Sequence, residues 1–407
     1  MRTLGLDISK LAIYGIFLNY YCYFIIRGSF IPMGTYLFFV IAIIGLIIAA
    51  TNEPIKIDFD IKCWIWYGVV SVVTILLAAS TSYAIDGLIK YFQRIVLIFL
   101  ITYICKYEKS IKFAIRVLAV TAVCCAGATL MSMNDYSQKL TVESGATIST
   151  NDIGSIMAFG CFAVLFAFGT GANSRLYKTL FKVGYILAAV SVIAIAGSRK
   201  SLIAIVLMFV LMFVFCWKDL FSKMTGLQFI SILIVTGIAL YVTTKYLLPY
   251  FEDTNLYARL FGRAAERTAD SDKGRIELYK TALQEFFHNP LFGIGFNNYA
   301  YLHESYTHST YVEPLACSGI FGLLYLIPYA HILVNQIKLS FSQKDEYITE
   351  NRLFQKEMLA FYIVFLFVGI GIPYLYKDIP CIILAMFIAS QSISLNENKS
   401  ERLASQP

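Results

Sequence analysis

The sequence predicts an all-α integral membrane protein, and three observations carry that prediction. Hydrophobic residues make up 58% of the chain and charged residues only 14%, whereas soluble domains carry roughly 25% charged residues. Apolar residues come in runs of about the 20 needed to cross a ~30 Å hydrocarbon core. Those runs do not alternate polar with apolar, so the backbone meets its hydrogen-bonding needs inside lipid as helices rather than as a closed barrel.

Read in order, the runs predict about twelve transmembrane helices, at 9–26, 31–50, 63–80, 88–105, 111–132, 153–172, 178–196, 200–216, 227–246, 309–337, 356–376 and 378–394. The first run lacks a small-residue cleavage site and is expected to stay as a membrane helix. The tenth is long enough to tilt, and Pro373 and Pro380 interrupt the last two, which makes re-entrant segments an alternative there. The chain from 1 to 407 is thus expected to be one polytopic membrane domain, with a single long loop at 247–308 between spans nine and ten.

The formal charge of +7 does not point to nucleic acid, because the basic residues cluster at span ends instead of forming one patch. Their distribution sets an orientation. Short loops on the side of the termini carry eighteen Lys and Arg, and the short loops of the opposite side carry five (Arg27, Lys139, Arg199, Lys200 and Lys377). By the positive-inside rule both termini are cytoplasmic and the long loop is outside. The nine cysteines form no CxxC and no Cys/His ligand set, and read as small apolar packing residues.

Two charged features stand out within the spans. Gly197-Ser198-Arg199-Lys200-Ser201 is a tight turn on the outer face, where two adjacent cations run against the topology rule; the plainer reading is a snorkelling pair at lipid headgroups. Span four carries Asp86, Lys90 and Arg94 at four-residue intervals, on one helical face. Ionisable groups inside a membrane pair up or line a cavity. An Asp86–Lys90 pair accounts for two of them and leaves Arg94 as the candidate contact.

The long loop holds the chemistry. From Lys245 to Glu313 it contains three of the four histidines (His288, His303 and His308) and a run of tyrosines. Arg259, Arg263 and Arg267 form a helical stripe of positive charge. Ser271 or Asp272 is placed to cap a helix whose apolar positions Ile276, Tyr279, Leu283, Phe286 and Phe287 recur every three or four residues, and Asn289-Pro290 stops it. Such an amphipathic helix suits the outer membrane interface. Gly293 and Gly295 then permit a tight turn, and His308 stands at the mouth of span ten.

Arginines and a histidine on an outer face suit an anionic substrate that loses a proton as it reacts. Arginine grips phosphate oxygens with a planar fork and stays charged. Fixed cations can neutralise a departing diphosphate without a metal, and a histidine can take the proton of an attacking hydroxyl. Tyr299, Tyr301, Tyr306 and Tyr311 are placed to stack on sugar rings. Asp58-Phe59-Asp60 has the spacing of a nucleotide-sugar DxD, but its short cytoplasmic loop argues for an accidental match. His288 reads as a helix C-terminal dipole partner, His331 as structural, and no zinc-ligand spacing appears.

The order of these features carries a resemblance. A Ser-Arg turn precedes a span; a long outer loop follows, with an arginine at a helix; then come HNPLFGIGFNNY and HSTYVEPLACSGIFGLLYL. This resembles the O-antigen ligase and polysaccharide polymerase superfamily of bacterial envelopes over roughly residues 150–340, most specifically from Asn289 to Gly322. The resemblance implies a metal-independent glycosyltransferase of the cytoplasmic membrane, without cofactor, using an undecaprenyl-diphosphate-linked oligosaccharide. It implies that Arg199 holds the lipid diphosphate, that Arg275, just before the amphipathic helix, is a second anchor, and that His308 is the base or acceptor-positioning group. Glu313 would orient His308 or contact the acceptor. Placement adds Lys200, Lys90, Arg94, Arg259, Arg263, Tyr301 and Tyr306 as substrate contacts.

Among acceptors, a polymerase of O-antigen or capsule is favoured over a ligase to lipid-A core or a protein-directed enzyme. A chain-length regulator and a flippase are the expected partners, beside membrane lipids. The rival classes are a lipid-linked oligosaccharide transporter, which would place charges at the midplane with internal repeats, and a structural subunit of an envelope complex. No convincing repeat is visible, and the suspicious charges gather at one face.

Overall fold

The computed structural model describes residues 40, 43–44, 47, 56–107, 111–131, 150–167, 176–221, 257, 264–341 and 349–404. Among these, every regular element is helical and no strand occurs. In chain order the elements are α1 (Phe59–Thr74, continued by a 3-10 turn at Ile75–Leu77), α2 (Thr81–Tyr107), α3 (Ile111–Met131), α4 (Thr150–Ala167), α5 (Leu176–Ala196), α6 (Arg199–Phe221), α7 (Ala264–His288), α8 (Tyr299–Leu302), α9 (Val312–Ser318, with a 3-10 turn at Gly319–Phe321), α10 (Gly322–Phe341), α11 (Thr349–Gly369, followed by a 3-10 turn at Tyr374–Tyr376) and α12 (Asp378–Ala404).

Four helical stretches among the described residues are long and apolar enough to cross a membrane: Phe59–Leu77, Thr81–Lys106, Arg199–Trp217 and Val312–Phe341. They fall on the runs expected at 63–80, 88–105, 200–216 and 309–337. Shorter apolar helices, Ala114–Gly127, Asn151–Phe166, Leu180–Ala196 and Ile379–Leu395, fall on four more. The expected spans at 9–26 and 227–246, and nearly all of 31–50, lie outside the described residues. The protein is a helical membrane protein. Its tenth expected span is not one straight helix: α9 ends at Ser318, and Gly319, at φ +59°, turns the chain into α10.

α12 packs along α2 and against α10 and α3, α11 packs along α6 and α10, and α4 sits between α3, α5 and α6. A helix that is apolar all round belongs in an interior, and residues 379–391 of α12 are buried throughout. Lipid tails give little hydrophobic drive between helices, so close van der Waals packing must hold them. Here aromatic rings supply much of it: Phe162 stacks on Phe361 at 3.8 Å between centroids, and Phe365 stacks on Tyr374 at 4.5 Å.

Charges at the start of α1 are paired. Lys106 at the end of α2 contacts both Asp58 oxygens at 2.6 Å, and Ser392 of α12 donates to Asp58 at 2.9 Å. Asp60 meets His331 Nδ1 at 2.7 Å, while Asn335 Nδ2 lies 3.1 Å from Nε2. Both carboxylates of the DxD-like triplet are therefore committed to helix-joining contacts, and His331 is one of those contacts.

Candidate functional site

α7 begins earlier than its capping signals suggest. Ser271 and Asp272 do not cap it; they lie inside a helix that starts at Ala264. The stretch Ala264–Lys273 contains no Gly or Pro to break a helix, and Ser and Asp each cost one no more than about 0.7 kcal/mol. Arg275 is consequently in the middle of α7 and not before it. The helix ends at His288, directly before Asn289-Pro290, as the proline dictates. Leu278 and Ala282 pack with Tyr299, Ala316 and Cys317 in a small core between α7 and α9. Ile276, Leu283 and Phe287 remain exposed, an apolar strip of the kind an interfacial helix presents.

The glycine-rich turn is a clamp. Ile294 N–H donates to Ala316 O at 3.0 Å and Ile320 N–H to Pro290 O at 2.8 Å. Gly293 sits at φ +67°, so close to the backbone of Ala316 and Cys317 that no Cβ would fit. Beyond it, Asn298 is wholly buried: its Oδ1 accepts from Ser80 N–H at 2.8 Å and its Nδ2 donates to Ser80 O at 3.3 Å. Ser80 also caps α2, its Oγ accepting from Tyr83 N–H. The turn thereby fixes α7 and α9 to the α1–α2 connection.

The second part of the site is the turn from α5 to α6. Gly197 N–H donates to Ala194 O and Ser198 N–H to Ile193 O, both at 3.2 Å. This is a Schellman ending, with the residue at C′ left-handed, and Gly197 has φ +68°. α6 starts two residues later with Arg199 and Lys200, both half-buried. Ser198 and Ser201 hydroxyls lie 2.8 Å apart against Gly154 of α4. The first turn of α4 thus abuts the cation-bearing turn. It carries Asp152, which pairs with Lys377 at 2.7 Å.

The third part is the strap that presents His308. Glu313, buried at 2% exposure, accepts from Thr307 N–H at 3.1 Å and from Thr307 Oγ1 at 2.8 Å. Thr310 N–H donates to Gly369 O, its hydroxyl donates to Ile372 O at 2.6 Å and accepts from Tyr374 N–H at 3.0 Å. Tyr311 OH donates to Leu366 O. Between these anchors His308 adopts φ +59°, a conformation that costs a side-chain-bearing residue on the order of 1 kcal/mol. Glu313 therefore holds the backbone beside His308. Tyr306 touches the His308 ring, with ring centroids 4.1 Å apart.

These parts converge. Burial, together with the positive charges of Arg275, Lys200 and Lys377, pushes the His308 imidazole down to about 4. Lys200 reaches across to Gly371, where its ammonium would collide with any added Cβ. Tyr279 of α7 donates to Ile370 O at 2.7 Å, tying the Arg275 helix to the same 369–377 segment. The result is an uncharged imidazole facing cations from α6, α7 and the segment before α12: a place where an anion would be stabilised and a proton accepted.

Of the site residues expected from sequence, His308, Arg275, Lys200, Glu313 and Tyr306 belong to this arrangement. Of the Arg199-Lys200 pair, Lys200 bears on His308 through its charge, and Arg199 opens the same helix. Lys90 pairs with Asp86 at 2.6 Å on the exposed face of α2. Arg94 donates to Lys90 O at 3.0 Å and lines a crevice walled by Trp64, Tyr91, Tyr325, Tyr329 and Tyr374. Tyr301 is exposed and beside Tyr83. Tyr299 is not available to a sugar: it is fully buried and donates to Leu278 O at 2.8 Å. Arg259 and Arg263 lie outside the described residues. His303 pairs with Glu285 at 3.2 Å.

Sequence reasoning passed over Lys377, Asp152 and Thr307. A signal existed for the first two: Lys377 is one of the few cations on the sparse side of the topology count, and Asp152 is a carboxylate at the mouth of an apolar span. Among the described residues, no three His, Cys, Asp or Glu side chains are grouped to hold a metal ion.

No curated protein matches the chain. A family model described as O-antigen ligase matches residues 183–327, a stretch that runs from α5 into α10 and includes Arg199, Lys200, Arg275, His308 and Glu313. That match supports the resemblance to the O-antigen ligase and polymerase superfamily over those residues.

Proposed function

We propose that the protein polymerises a surface polysaccharide, O-antigen or capsule. It would transfer the growing glycan from undecaprenyl diphosphate to the next lipid-linked repeat unit on the outer face of the cytoplasmic membrane. What supports this reading is that burial and the charges of Arg275, Lys200 and Lys377 lower the basicity of His308, where Lys200 also reaches the 369–377 segment. In the transfer, an acceptor hydroxyl oxygen bonds to the anomeric carbon of the donor. The bond from that carbon to the diphosphate oxygen breaks, and its electron pair leaves with undecaprenyl diphosphate. The hydroxyl proton passes to His308, and the cations neutralise the charge gathering on the leaving group.

A strongly lowered basicity suits this order of events. Before substrate binds, the cations disfavour imidazolium. A bound diphosphate offsets them, so the ring gains proton affinity only when the donor is in place. Arg199, at the head of α6, and Arg275 supply forked contacts, and Lys200 a point charge. Tyr301 and Tyr306, both exposed, offer faces to sugar rings. A polymerase is favoured over a ligase because both of its substrates carry a lipid diphosphate, and cations converge on His308 from three separate elements.

The test is to give the purified protein a single synthetic undecaprenyl-diphosphate-linked repeat unit of the native polysaccharide. Wild type should produce a ladder of products on a gel, and His308→Ala should not. A single transfer to added lipid-A core, with no ladder, would replace the polymerase by the ligase.

A further inference from the structure

The Asp152–Lys377 pair is not needed to build the bundle end in which it sits. The first turn of α4 is already fixed there by Gly154 against Ser198 and Ser201. The 369–377 segment is fixed by Thr310, Tyr311 and Tyr279, whose bonds to Gly369, Ile372, Tyr374, Leu366 and Ile370 hold it from two sides. The pair is also reachable, with side-chain exposures of 33% for Lys377 and 21% for Asp152. Partly exposed single-contact pairs hold weakly, whereas an ammonium bound to phosphate oxygens gains from their higher charge. Asp152 lies in the first turn of α4, where the helix N-terminus favours its negative charge even when Lys377 leaves it.

We propose that Asp152 is the resident counter-ion of Lys377, and that an incoming lipid diphosphate takes its place, making Lys377 a phosphate ligand of the donor. This rests on the glycosyl-transfer reading above. Substrate binding is then an exchange of anions. The carboxylate occupies Lys377 in the empty site, competes with the diphosphate, and speeds release of undecaprenyl diphosphate after transfer by reclaiming the ammonium.

The two members of the pair should consequently act in opposite directions. An ion pair that only holds helices together loses the same thing whichever partner is removed. A counter-ion does not: Lys377→Ala removes a ligand and should weaken binding of farnesyl diphosphate about tenfold, whereas Asp152→Asn removes a competitor and should tighten it several-fold. In Asp152→Asn/Lys377→Ala the tightening should vanish. Binding is measured by calorimetry on full-length protein in nanodiscs of neutral lipid. It is repeated with inorganic pyrophosphate, and in nanodiscs containing phosphatidylglycerol, to separate a lipid diphosphate from a bilayer headgroup. The same fold-changes with farnesyl diphosphate in neutral discs support the proposal. Effects that appear only when phosphatidylglycerol is present would assign Lys377 to the bilayer and overturn it. Equal losses in both single variants, with Arg275→Ala still abolishing binding, would overturn the counter-ion role while leaving the transfer reading intact. Absence of farnesyl diphosphate binding in wild type would remove both.

Discussion

The protein holds two histidines among charges, and it treats them in opposite ways. His331, in the body of α10, has a carboxylate at 2.7 Å, an amide on its other nitrogen, and beside it Asp58 paired with Lys106 and Ser392. Each carboxylate there has its own partner. The charges of three cations bear on His308, and Glu313 of its own strap accepts from Thr307. The first arrangement is complete as it stands. In the second, Arg275, Lys200 and Lys377 all act on the ring with the same sign. The same residue types make a joint at one place and gather positive charge about an imidazole at another, and what separates them is the sign of the charge that bears on the histidine.

Substitution should expose that contrast most sharply at the histidines themselves. His308→Ala is expected to lower turnover by about 10²–10⁴-fold, the range lost with a positioned general base, while melting as wild type does. His331→Ala should leave turnover within a few-fold and lower thermal stability instead. The reverse pattern, seen in the ladder assay and a melting curve, would exchange the roles assigned to the two ends.

Removing the cations comes next. Arg275→Ala should cost about 10²-fold in kcat/KM, the scale of a lost contact to developing charge. Arg199→Lys should impair transfer more than Lys200→Arg, because a point charge cannot replace a forked grip. Lys106→Ala, at the paired end, should affect stability alone. Equal and mild losses at all four positions would mean that the charge around His308 has no special role.

The pH dependence should follow from the lowered basicity of His308. In the proposed transfer the active form is the unprotonated ring, so kcat/KM should persist into mild acid and fall only as pH drops through about 4. The acid limb of kcat, which reports the enzyme with substrate bound, should lie at higher pH because the diphosphate offsets the cations. Lys200→Met should move the kcat/KM limb upward. A limb fixed near 6.5 in both proteins would place the titrating group elsewhere. Smaller still is the effect expected at the strap: Thr307→Val or Glu313→Gln should cost roughly tenfold in kcat with KM little changed, since about 1.4 kcal/mol of positioning corresponds to one decade. Finally, EDTA should leave activity unchanged, and inhibition reversed by magnesium would contradict the metal-free transfer.

Much of this was legible in the sequence because each part depends on local chemistry. Uninterrupted apolar runs have few alternatives to membrane helices, and Asn289-Pro290 stops α7 where a proline must. Lys200 could be singled out by its place at the mouth of an apolar span, and Arg275 and His308 by the resemblance of the segments that carry them. What could not be read was long-range. Asp152 and Lys377 are 225 positions apart, and no local pattern pairs them. Ser271 and Asp272 are good caps and also tolerable within a helix, so only the unbroken stretch before them fixes the start of α7. Tyr299 and Tyr301 are alike in sequence, yet one is sealed beneath α7 and the other is open, a difference set by where α9 and the glycine clamp meet.

The most direct test of the central claim is to titrate His308 itself by NMR. The full-length protein would carry labelled histidine and sit in neutral nanodiscs, and the signal would be assigned by its loss in His308→Ala. The titration would be run with and without farnesyl diphosphate. The account predicts an imidazole that stays uncharged down to about 4 in the empty protein and titrates at clearly higher pH once the diphosphate is bound. An ordinary histidine titration near 6.5, unmoved by the diphosphate, would contradict it.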